Sequence, residues 1–208
     1  ATALAEQLLE RHGVVTRGAV MSEGVTGGFP TAYKVLSGLE ETGRTRRGYF
    51  IEGLGAAQFA TPATVDRLRA VAGELDTEAD AADRHIVALT LGATDPANPF
   101  GAALGWPADA EERHGGHRPG RKAGALVVLI DGALGLYVER GGKTVLDFTE
   151  TTEQRDAAAG SLTATIRATG GRLRIEKVDG VFAIGTPLGD ALIASGFAAT
   201  PQGLRLRG

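Results

Sequence analysis

The segment Leu91–Pro107, LGATDPANPFGAALGWP, constrains the fold of this chain more than any other, because it follows neither a helical nor a strand period. Asp95-Pro96 and Asn98-Pro99 each force an extended residue before a proline ring. Gly101 and Gly105 open backbone angles that other residues avoid. A stretch so dense in restricted and permissive residues specifies one backbone path. A basic linker, RHGGHRPGRKAG, and an apolar strand, ALVVLIDG, follow it.

A carboxylate held in such a bend can position water or an unstacked base, so Asp95 beside Asn98 is a candidate catalytic group. The competing reading, which weighs more, is that Asp95 caps its own turn, as Asp and Asn side chains do routinely. Trp106 has the same two readings: a base can stack on it, but a lone tryptophan more often anchors a core.

With 208 residues and 43% apolar side chains, one large or two small domains can each bury a core. There is no cysteine, which excludes disulfides, a thiolate nucleophile and any Cys-based zinc site. No run of 18 apolar residues exists and the start is an amphipathic helix, so no membrane partner is expected and the cytoplasm, with its nucleoid, is the expected compartment. A start without Met fits a piece of a longer polypeptide. The net charge of −3 is segregated: residues 113–122 carry four basic and no acidic side chains, whereas residues 123–208 balance at nine each. An anionic partner must therefore meet local patches.

The first seventy residues predict three short helices and a hairpin. Residues 3–12 place Leu4, Leu8 and Leu9 on one face and end at Gly13; Thr16 caps a second helix; a third runs from Pro30 to Gly43 on Val35, Leu36 and Leu39. The segment RTRRGYFIEGLGAAQFATP then alternates around a glycine-rich turn. Three helices and a hairpin make a winged helix, whose third helix can enter a major groove while the wing touches the backbone. Thr31, Tyr33 and Lys34 open the third helix, and Arg44, Arg46 and Arg47 begin the wing, where guanidinium groups can grip phosphates. Residues 1–73 carry a charge of only +1, however, so packing against another subunit or domain is a competing use, with Tyr33 and Tyr49 as core or wing aromatics. A helix from Thr61 or Thr64, striped by Val65, Leu68 and Val71, precedes an acidic linker, and the boundary is expected near residue 74.

Residues 74–208 predict a mostly antiparallel domain. Strands 86–91, ALVVLIDG, LGLYVERGG and KTVLDFT join through Asp131-Gly132 and Gly141-Gly142, residues suited to two-residue hairpin turns. A helix within TTEQRDAAAGSLTATIRATG, a hairpin turning at Asp179-Gly180, a helix opened by Pro187 and a last strand, GLRLRG, complete it. The expected fold class is α+β: a winged-helix domain over 1–73 and a small, partly open β-barrel-like domain with helices over 74–208.

Two tempting motifs fail. Gly142-Lys143-Thr144 imitates the end of a phosphate-binding loop, but the required upstream glycine is Tyr137 and no helix follows, so no ATP site is expected in this chain. His114 and His117 lie near Asp109, Glu111 and Glu112, yet nothing orders them, and a solvated basic loop is preferred to a metal site. His12 is expected at a helix C-terminus, where a cation is favoured.

RRGYFIEGLGAAQFATPATVDRLR, ATDPANPFGAALGWP, HRPGRKAGALVVLIDG and LYVERGGKT together resemble the C-terminal end of the bacterial large helicase-related (Lhr) proteins. The resemblance covers nearly the whole chain. It implies a superfamily 2 DNA helicase with ATPase lobes far upstream, where ATP and magnesium would act. It implies also a C-terminal region similar in fold to DNA glycosylases that unhook crosslinked bases. The expected role is a nucleic-acid-binding and assembly module in DNA repair. Its expected partners are DNA, the upstream domains of the same polypeptide and, in an assembly, further copies of the chain. The alternative is a glycosylase-like unit that excises damaged or deaminated bases. The glycosylase relatives carry a glutamine and a second polar residue one apolar residue apart; here Gln58 is followed by Phe59 and Ala60, so the second polar group is missing.

Overall fold

The computed structural model describes residues 2–76, 86–107 and 116–207. His114, Asp109, Glu111 and Glu112, together with most of the acidic linker, lie outside the described residues. The chain divides into two compact units, residues 1–84 with 102–104, and residues 85–101 with 105–208. No described helix is long and apolar enough to cross a membrane.

The first unit is a winged helix. Helices α1 (Thr2–His12), α2 (Arg17–Ser22) and α3 (Gly28–Glu41) are followed by strands β2 (Arg46–Gly48) and β3 (Gln58–Ala60) and by α4 (Pro62–Asp76). Local chemistry sets the boundaries. Gly13, at φ +66°, ends α1; Thr16 Oγ1 accepts from Ala19 N at 3.1 Å to cap α2; Thr61 Oγ1 accepts from Thr64 N at 3.2 Å at the start of α4. Ala5 joins Leu8 and Leu9 in the buried face of α1, while Leu4 stays exposed. One element has no signal in the sequence: β1 (Val14–Val15) pairs antiparallel with β3, so the wing is a three-stranded sheet in the order β1-β3-β2. Its two faces are buried separately, Val15 and Phe59 among α1, α2 and α3, and Val14 and Ala60 with Val65 of α4.

The second unit is built on an open six-stranded sheet in the order β10-β9-β7-β6-β5-β4. Its strands are β4 (Ala88–Gly92), β5 (Leu126–Ile130), β6 (Ala133–Val138), β7 (Thr144–Asp147), β9 (Lys177–Val178) and β10 (Val181–Phe182). Asp131-Gly132 and Asp179-Gly180 have positive φ at both positions, as two-residue hairpin turns of the primed type require. A separate three-stranded sheet has the order β11-β12-β8, with β8 (Arg172–Ile175), β11 (Ala198–Thr200) and β12 (Gly203–Arg207). Helices α5 (Thr152–Ala168) and α6 (Pro187–Ser195) complete the unit.

The α+β class holds, but the expected barrel does not form. Among the described residues β4 and β10 are the free edges of the large sheet, and the chain crosses from the small sheet into the large one between β8 and β9. The burial pattern gives the reason. Val128, Ile130, Leu136 and Val138 face a core shared with Ala158, Leu162, Leu188 and Leu192 of the helices. Val127, Leu129, Leu134 and Tyr137 face a second core with Phe100 and Trp106 of the Leu91–Pro107 bend. A strand covered on both faces is the middle layer of a sandwich, whereas a small barrel has a single interior. Leu134 and Leu136 point to opposite cores because the ladder shifts register between Val128 and Leu129.

Candidate nucleic-acid interface

The α3 helix of the winged helix opens at Gly27, whose left-handed φ of +80° turns the chain, and Thr31 Oγ1 donates to the Gly27 carbonyl at 3.2 Å. Tyr33 is half-buried between Phe29 and Phe59, edge-on to both at 5.9 and 5.4 Å. It is a core aromatic with a polar tip. That tip accepts from Arg47 Nη1, whose guanidinium lies 5.9 Å from the Tyr33 ring centre and 3.5 Å from Glu40. Arg47 thus fastens the wing strand β2 to α3. Thr45 adds a second tie, its buried hydroxyl donating to the Leu36 carbonyl at 3.0 Å.

The other cations of this region diverge. Arg44 pairs with Glu6 of α1 at 2.6 Å, both side chains being about half exposed. Arg46 lies opposite Ala60 in the ladder, on the other face from Arg47, which lies opposite Phe59. Arg46 and Lys34 are exposed, and among the described residues neither makes an ion pair. The structure therefore brings Tyr33 and Arg47 together and does not gather Arg44, Arg46 and Arg47 into one grip. Exposed ion pairs such as Arg44–Glu6 are weak, about 0.2–1 kcal/mol, and a phosphate can displace the carboxylate.

Gln58 is fully buried and spends its whole side-chain amide on the wing. Its Oε1 accepts from Phe50 N and Ile51 N, and its Nε2 donates to the carbonyls of Ile51 and Gly55. An amide so engaged is a structural brace. Tyr49 is 62% exposed at the wing, and its hydroxyl accepts from Gly53 N.

In the second unit, Asp95 Oδ1 accepts from Ala97 N at 2.8 Å, and Asp95 N donates to the Gly92 carbonyl at 2.9 Å. Asn98, 1% exposed, donates to the Ala93 carbonyl and accepts from Phe100 N. Arg121 belongs by sequence to the basic linker, but in the fold it closes this bend. Its Nη1 donates to the carbonyls of Asn98 and Phe100, and its Nη2 to those of Thr94 and Asp95, at 2.8 to 3.3 Å. Trp106 stacks on Phe100, meets Tyr137 edge-on and covers Gly101, where a Cβ would stand 2.5 Å from its indole nitrogen. His117 is likewise tied down, 2.9 Å from Glu139. Carbonyl-rich turns attract guanidinium groups, but which arginine answers is a long-range matter that spacing does not reveal.

Comparison with known proteins adds to this geometry. A family described as the winged-helix domain of the large helicase-related protein matches residues 1–80. A Lhr helicase and probable uracil glycosylase of Mycolicibacterium smegmatis is 52% identical over 98% of the chain. A Lhr helicase and uracil glycosylase of Escherichia coli K12 is 40% identical over 97% of it. The chain spans only 14% and 13% of the lengths of these two relatives.

Proposed function

The chain belongs to the large helicase-related family, as part of the C-terminal region of such proteins, and on that premise we propose that it is a DNA-binding and assembly module of an ATP-dependent helicase acting in DNA repair. ATP and magnesium would be used by lobes elsewhere in the same polypeptide. The observation that carries the reading is the wing locked onto α3 through Arg47 and Tyr33, with Lys34 and Arg46 left exposed beside it. A rigid helix-and-wing pair with unpaired cations suits the duplex backbone.

The test replaces Lys34, Arg44, Arg46 and Arg47 by Ala and measures duplex and single-stranded DNA affinity by fluorescence anisotropy over a range of salt. Duplex affinity should fall at least about tenfold and its salt dependence should flatten, since every phosphate no longer neutralised takes about 0.9 off the log–log slope on duplex DNA. Unchanged affinity turns the winged helix into a packing module.

The names of both relatives include a uracil glycosylase, which supports a second reading, base excision by the second unit. Incubation with uracil-bearing oligonucleotides followed by alkali reports it through strand breaks at abasic sites. Asp95 is the carboxylate to test there, and loss of breaks in Asp95→Asn with the fold intact supports it.

A further inference from the structure

The small sheet β11-β12-β8 buries one face and arms the other. Leu173, Ile175, Leu204 and Leu206 point into the core beneath α5 and α6. The alternate positions carry Arg172 and Arg174 on β8 and Arg205 and Arg207 on β12, beside Gly203 and, on β11, Ala198 and Thr200; the register sets Arg205 opposite Arg174 and Arg207 opposite Arg172. Like charges facing across a ladder destabilise it. Arg174 is relieved by Glu176, which also lies 3.5 Å from Lys143. Among the described residues, Arg172, Arg205 and Arg207 have no ion-pair partner.

Glu176 apart, several of the acidic side chains that balance the charge of residues 123–208 are engaged with other partners. Asp147 holds Arg155 and Thr149, Glu139 holds His117, Asp131 caps Val87 N and Asp179 accepts from Asp147 N. The balanced total thus conceals a strongly cationic sheet face.

Two open cavities adjoin that face. One, of about 510 Å³, is lined by Arg172, Arg174, Arg205, Thr200 and Gln202. The next, of about 440 Å³, shares Arg174 and Gln202 and adds Lys177, Phe182 and Glu176, the partner of Arg174. Phe182 is 50% exposed, on the edge strand β10, directly across from Lys177. Exposed aromatic surface beside a row of guanidinium groups is the combination that binds single-stranded nucleic acid. Cations track the phosphates, and the ring stacks a base that a duplex would keep paired. An acidic peptide would use the arginines but has no need of the ring.

We propose that the Arg172–Arg174–Arg205–Arg207 face with Phe182 is a second nucleic-acid site, specific for single strands and separate from the winged helix. Arginines on alternate residues of one strand lie about 6.6–6.8 Å apart, and burial of the opposite face holds that spacing.

The test uses the 208-residue chain and a labelled oligothymidylate, read by anisotropy over a range of salt. Arg172→Gln, Arg205→Gln and Arg207→Gln combined should weaken binding at least about tenfold at physiological ionic strength. The log–log salt slope should fall by about 2, at about 0.7 for each of three phosphate contacts. Phe182→Ala should weaken single-strand binding about tenfold, within the range for one stacked base, and leave duplex affinity unchanged. Should the triple variant fail to fold, Arg207→Gln alone carries the same reading through a slope change of about 0.7.

Wild-type affinity and slope in the arginine variants overturn the proposal and leave the face to an acidic protein or a second copy. Equal loss on duplex and single strand in Phe182→Ala also overturns it. Lys34→Ala with Arg46→Ala, measured in parallel, separates this site from the winged helix, because each set can lose its effect while the other keeps it.

Discussion

Gln58 and Ile51 exchange two hydrogen bonds across the wing, Ile51 N donating to Oε1 at 2.9 Å and Nε2 donating to the Ile51 carbonyl at 2.8 Å. The side-chain amide imitates a strand where the backbone has looped away. Gln58→Leu keeps the volume and strands these groups, so it should cost roughly 2–4 kcal/mol by the desolvation penalty of unpaired buried polar groups. Denaturant unfolding measures the loss. Hydrogen exchange at Phe50 and Ile51 should speed up with it; slow exchange there would show that the brace is not needed.

Arg121 gathers four carbonyls of the 94–100 bend with one planar fork. A lysine ammonium has the charge but not the geometry. Arg121→Lys should therefore lose nearly as much stability as Arg121→Ala, on the order of 2 kcal/mol for hydrogen bonds to a charged donor. Comparable thermal shifts in both variants support this; full rescue by lysine refutes it.

Burial raises the pKa of the Tyr137 phenol above its ordinary value of 10.0, and its hydroxyl donates to the Gly120 carbonyl at 3.0 Å. Below about pH 10 both folded and unfolded chains keep the proton, so Tyr137 adds no pH dependence. Above it the unfolded chain ionises first, and stability falls until the folded phenol also titrates. Tyr137→Phe should be less stable than wild type by about 1 kcal/mol at about pH 7, the worth of one hydrogen bond. That gap should narrow as pH rises past about 10, as read from urea unfolding at several pH values. A gap that stays constant would falsify the assignment.

Legibility in the sequence followed the range of the interactions. Thr16, Gly13, Asp131-Gly132 and Asp179-Gly180 act within a few residues, so the helix starts and stops of the winged helix and the hairpin turns were readable. Pairings between distant segments were not. Val14–Val15 is too short to signal a strand until β3 reaches it. The parallel pairing of β7 with β9 depends on the Lys143 carbonyl accepting from both Glu176 N and Lys177 N. That junction sends β8 into another sheet and removes the barrel that counting strands suggested. For the interface, the wing and α3 were legible. The divergence of Arg44, Arg46 and Arg47 was not, because facing depends on register. The alternation of RLRI and LRLR is plain in one dimension, but only pairing turns it into facing arginines.

Crowding of positive charge on the β8–β12 ladder is worst when nothing covers it. Any polyanion seated there relieves the repulsion and so stabilises the folded chain by mass action. The melting temperature of the second unit should accordingly rise with occupancy, which makes the fold itself a gauge of its own ligand.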